Sequence, residues 1–86
     1  MAGVEEVRAG IALAKDKASA SIAALQQAAM ALEEAQQTLS QATSGSSQQE
    51  VSQAHGMFAE AIQGISGTQS TIEGAISSAE SYAARL

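Results

Sequence analysis

Cysteine, proline and tryptophan are absent from this chain, and phenylalanine and tyrosine occur once each. Without cysteine there is no disulfide and no thiolate metal site, and nothing about a redox compartment can be read. Without proline, no residue forces a helix to stop or kink. An aromatic content of 2% in 86 residues leaves little with which to fill a wide, layered core. Positive charge is scarce too. The basic residues Arg8, Lys15, Lys17 and Arg85 lie near the two chain ends, and none occurs between Ala18 and Ala84. With a net charge of −5 this disposition excludes a nucleic-acid binder, which needs clustered Lys and Arg. Long hydrophobic runs are also missing. The uncharged stretch from Ala18 to Leu32 contains Gln26, Gln27 and two serines and falls short of the ~20 apolar residues of a membrane span. No membrane insertion is expected. The opening Met1-Ala2-Gly3-Val4-Glu5-Glu6 lacks the basic-then-apolar pattern of a cleavable signal. Cytoplasmic residence is the default expectation, with signal-less secretion as the other route.

What the chain does contain is alanine, glutamine, serine and glutamate, a composition that favours long helix. Every seventh residue from Val4 reads Val4, Ile11, Ala18, Leu25, Leu32 and Leu39. After Thr43-Ser44-Gly45-Ser46-Ser47 the series resumes as Val51, Phe58, Ile65, Ile72, Ala79 and Leu86. Two such heptad series flanking a Ser/Gly break describe two helices folded back on each other. The expected bounds are 4–42 for the first helix, 43–47 for the hinge and 48–86 for the second helix. Glu5 and Glu6 suit the positive end of the first helix. Gly45 suits the left-handed residue that ends it. Ser47-Gln48-Gln49-Glu50 has the form of a capping box for the second.

Antiparallel pairing about Gly45 sets Leu39 against Val51, Leu32 against Phe58, Leu25 against Ile65, Ala18 against Ile72 and Ile11 against Ala79. A second row then pairs Ala14 with Ile76, Ser21 with Gln69, Ala28 with Ile62 and Ala35 with His55. Small residues face larger ones, as knobs-into-holes packing wants. On one flank Arg8 falls near Glu80 and Lys15 near Glu73. The other flank carries Ala24, Ala31, Thr38, Ala54, Ala61, Thr68, Ala75 and Tyr82, a smooth uncharged face and the candidate interface. Leu13, Ile22, Met30 and Met57 are left off the seam. A lone hairpin buries little surface, so a second copy is expected to complete an antiparallel four-helix bundle.

Little in the chain has the arrangement of a catalytic or metal site. His55 is the only histidine, and Ser52 stands where a Glu-x-x-His ligand pair would need its carboxylate. A seam-edge imidazole is the plainer reading. Glu33, Glu34, Glu60, Glu73 and Glu80 are spread along the rod rather than gathered into a pocket. They read as a solvated acidic face. Gly64, Gly67, Thr71, Gly74 and Ser78 form a stripe of small residues. Close approach of another helix and simple tolerance on an exposed face account for it equally well. The serine tracts have no base or oxyanion donors beside them. No enzyme activity, no cofactor and no metal is expected.

Several segments carry a resemblance: Val4-Glu5-Glu6-Val7-Arg8-Ala9-Gly10-Ile11, Ala24-Leu25-Gln26-Gln27-Ala28, Leu32-Glu33-Glu34-Ala35-Gln36, Gln41-Ala42-Thr43-Ser44-Gly45-Ser46 and Glu80-Ser81-Tyr82-Ala83-Ala84-Arg85-Leu86. The chain resembles small actinobacterial helical-hairpin proteins and domains of unassigned function. Members of that group stand alone or precede toxin-type domains such as deaminases and nucleases, which implies a docking or delivery role. It is more distantly similar to the Trp-x-Gly helical hairpins exported by type VII secretion. Here the hinge has no tryptophan, His55-Gly56-Met57 falls inside the second helix, and Tyr82 is followed four places on by Leu86 rather than an acid. No functional residue carries over. The sequence thus points to an all-α, antiparallel two-helix hairpin, coiled-coil-like, acting as a non-enzymatic interaction or docking module. Its expected partner is a second copy (a homodimer) or another helical protein; a type VII-like secreted effector or export-coupled partner is the alternative.

Overall fold

The computed structural model describes residues 3–86. Two helices, α1 (Val4–Ala42) and α2 (Gln49–Ala84), are the only regular elements among them. They lie against each other as a hairpin, so the all-α hairpin expected from the two heptad series is the observed fold. The result is a rod of 63 × 17 × 16 Å with a radius of gyration of 19.4 Å. A compact chain of this length would have a radius of gyration of about 12 Å.

Local chemistry sets the helix ends. At the start of α1, Glu5 and Glu6 occupy the first turn, and the Val7 amide donates to the Gly3 carbonyl at 3.0 Å. At its other end the Leu39 carbonyl accepts from both the Thr43 amide (3.0 Å) and the Thr43 hydroxyl (2.6 Å). Gly45 then takes φ of +84°, the left-handed region that a Cβ disfavours. The Ser46 amide closes the turn on the Thr43 carbonyl at 2.9 Å. α2 begins after Gln48, which makes no side-chain cap, so the expected Ser47/Glu50 capping box does not form. The hydroxyl of Ser46 instead accepts from the Gln48 amide at 3.3 Å. The turn runs one residue further than the sequence suggests, which takes Ser47 out of the capping position.

No described residue is fully buried, and the seam is a line of half-buried side chains. In α2 that line runs Val51, His55, Phe58, Ile62, Ile65, Gln69, Ile72, Ile76, Ala79 and Ala83, as both expected rows require. In α1 the first row holds from Ile11 to Leu39, while Val4 at the open end is 45% exposed. The second row of α1 holds at its two ends, where Val7 and Ala35 are half-buried, and differs between them. Ala14, Ser21 and Ala28 are exposed, whereas Ile22, Ala29, Gln36 and Thr43 are half-buried. Over its middle the inward face of α1 lies one residue further on, which brings Ile22 into the seam.

The cross-helix contacts show how the two helices pair. Near the turn the Gln36 side chain reaches the His55 carbonyl, and Leu32 lines a groove with Phe58, close to the expected pairing. Toward the open end the Lys15 Nζ reaches Glu80 at 3.0 Å rather than Glu73, and Ile11 lines a surface groove with Ala83 and Ala84. Arg8 pairs with Glu5 of its own helix at 3.9 Å and not with Glu80. Arg8 and Lys15 are both exposed and line the edge of the seam beside Ile11. Gln36 is accommodated because its amide donates to the His55 carbonyl at 3.2 Å.

Two outcomes follow from this geometry. An Ile11→Cys/Ala83→Cys pair should oxidise to an intrachain disulfide faster than Ile11→Cys/Ala79→Cys, as read by intact mass and non-reducing electrophoresis; the reverse order would restore the expected register. In chemical or thermal unfolding, Gly45→Ala should destabilise the hairpin by about 1–2 kcal/mol. Gly67→Ala or Gly74→Ala should stabilise it by roughly 1 kcal/mol, since a Cβ at either position meets nothing within 4 Å.

Candidate interaction surface

The seam divides the rod into two unlike sides. One is marked by the Lys15–Glu80 bridge and by a groove between Gln36, Gln37, Ser40, Gln41 and His55. Continued by helical phase over the outer edges of both helices, this side collects every acidic residue except Glu50. The carboxylates are exposed and strung along the rod, and among the described residues no three His, Asp or Glu converge as a metal-binding group. His55 is half-buried beside the turn and contributes its carbonyl to Gln36.

The other side is marked by a groove lined by Leu32, Ala54, Met57, Phe58 and Ala61, all apolar. From α2 this side presents the candidate residues Ala54, Ala61, Thr68, Ala75 and Tyr82. All are exposed except half-buried Ala54. The rotation of α1 alters its share. Ala14, Ser21 and Ala28, expected inside the seam, now flank it. Ala24, Ala31 and Thr38 stand one row further out, on the same side and exposed. The eight candidate residues therefore share a face, and that face is wider than the sequence suggested.

Its polarity is lower than its composition implies. The hydroxyls on it turn back to their own helices: Thr38 to the Glu34 carbonyl (2.9 Å), Thr68 to that of Gly64 (2.9 Å), Thr71 to that of Gly67 (3.1 Å) and Ser21 to that of Ala18 (2.7 Å). With their oxygens occupied, the three threonines present methyl groups outward. Met57 (69% exposed) and Tyr82 (47%) are the large side chains standing on this face. Leu13 (56%) and Met30 (57%) stand singly on the acidic side, where isolated apolar residues are ordinary.

Comparison with protein-family models, with curated proteins and with solved structures finds no match for this chain. The surface is therefore interpreted from its chemistry alone.

The cross-helix bridge is solvent-exposed and should be worth ~0.2–1 kcal/mol, diminishing with added salt. A double-mutant cycle on Lys15 and Glu80 should return coupling in that range. The same cycle on Lys15 and Glu73 should return none; coupling to Glu73 instead would restore the pairing expected from the sequence.

Proposed function

We propose that this chain is a non-enzymatic interaction module that works by associating through its smooth face of small residues, either with itself or with another helical protein. The observation that carries the reading is the burial pattern: a chain 45% hydrophobic in composition in which no described residue is buried. A compact protein of 8.7 kDa would expose about 4,700 Å², whereas this rod exposes 6109 Å². The excess, about 1,400 Å², is larger than the ~800 Å² that each partner contributes to a standard interface. Isolated helices and single hairpins gain little from tertiary packing, so a partner supplies the burial that the seam lacks.

The scarcity of charge on the smooth side, where Lys17, Glu50 and Arg85 are the charged residues, supports the same reading. Desolvating alanine and threonine methyls on association costs little, whereas desolvating the carboxylate side would cost several kcal/mol per ion. The docking side is therefore the one with the internally bonded hydroxyls. A catalytic reading finds little support: Ser40 and His55 line one shallow groove, but no hydrogen bond joins them among the described residues.

Light scattering and sedimentation of the purified chain at tens of micromolar should give a mass above that of the monomer. The unfolding midpoint should rise with protein concentration. A stably folded, strictly monomeric rod whose midpoint is independent of concentration would overturn the proposal.

A further inference from the structure

We infer that the occupant of the smooth face is a second copy of this chain, lying antiparallel so that α2 rests on α2 and α1 on α1 about a two-fold axis near Thr68. The inference rests on the proposed function and assigns the partner and its orientation.

The argument is self-complementarity. Two rows of α2 border the smooth side, one running from Ala54 to Tyr82 and the other from Glu50 to Arg85. Turned about Thr68, each row meets itself reversed. Tyr82 falls on the partner's Ala54, Met57 on the partner's Ser78, Gly64 on the partner's Thr71 and Ala61 on the partner's Ala75. Large meets small at each unequal pair, and Gly64 has open space around a notional Cβ in the isolated hairpin. The charges fit as well. Glu50 and Arg85 are exposed, lie at opposite ends of the same row, and are brought together as Glu50 with the partner's Arg85, twice per dimer.

α1 brings mostly small residues to the same side: Ala14, Ser21 and Ala28 beside the seam, and Ala24, Ala31 and Thr38 one row further out, with Lys17 the one charged residue in that outer row. Small residues permit two helices to approach closely. An isologous contact of this kind closes after two subunits and leaves no further copy of the face to extend it. Both acidic sides point outward, away from each other. A face of 63 by 17 Å offers on the order of 1,000 Å² per subunit, above the ~800 Å² of a standard interface. Parallel stacking would put Glu50 near Glu50 and Arg85 near Arg85, so charge selects the antiparallel arrangement.

The test uses the full chain in sedimentation equilibrium, with helicity followed in parallel. Arg85→Glu and Glu50→Arg should each weaken the dimer on the order of tenfold, and the double variant should restore it. Independently, Thr68→Cys should cross-link to a covalent dimer under mild oxidation, since position 68 meets its own copy, while Gly74→Cys on the acidic side should not. A dimer in which the double charge variant is no tighter than either single variant, and in which Thr68→Cys does not cross-link, overturns this orientation while leaving the proposed function standing. A stable monomer overturns both. If the charge variants lose helicity, the Thr68→Cys cross-link alone decides.

Discussion

Everything in this fold depends on a seam one side chain thick. Leu25, Leu32, Phe58 and Ile65 line it, yet none is fully removed from water, because two helices cannot enclose anything. Apolar burial contributes roughly 25 cal/mol per Å² removed from water, so half-buried residues contribute correspondingly less. The interior glycines Gly56, Gly64, Gly67 and Gly74 each cost α2 roughly 1 kcal/mol relative to alanine. A helix carrying four of them draws little on its own propensity and leans on what so thin a seam supplies.

The seam also sorts the surface. Placing Ile22 and Gln36 in contact with α2 turns the glutamates of α1 to one side and its alanines to the other. α2 does the same with Glu60, Glu73 and Glu80 against Ala61, Thr68 and Ala75. The two helices agree in phase, so their acidic rows join into one side and their small residues into another. Repulsion among outward carboxylates keeps the acidic sides apart. The threonines on the smooth side satisfy their own hydroxyls, so the face can lose its water at low cost.

How much of this can be read from the sequence follows from side-chain length. The first heptad row is unambiguous because Ile11, Leu25, Leu32, Val51, Phe58 and Ile65 are large, apolar and regularly spaced, and Gly45 marks the reversal. The second row of α1 is not. Its alternatives over the middle of the helix are Ala14-Ser21-Ala28, small and uncharged, and Ile22-Ala29-Gln36, which contains a polar amide. Composition favours the first, but the volume of Ile22 and the bond from Gln36 to the His55 carbonyl go with the second. The ion-pair partner of Lys15 is Glu80 rather than Glu73. The candidate face keeps the expected phase of its α2 residues. Its α1 residues gain neighbours that a one-residue rotation supplies and that spacing alone does not reveal.

The central claim is that the hairpin is held by a seam too thin to stand alone, so that folding and association are coupled. Far-ultraviolet circular dichroism across a dilution series, from tens of micromolar to well below one micromolar, tests it most directly. Helicity should fall cooperatively as the chain is diluted, in step with the loss of associated mass. Full helicity retained by a monomer at the lowest concentration would contradict it.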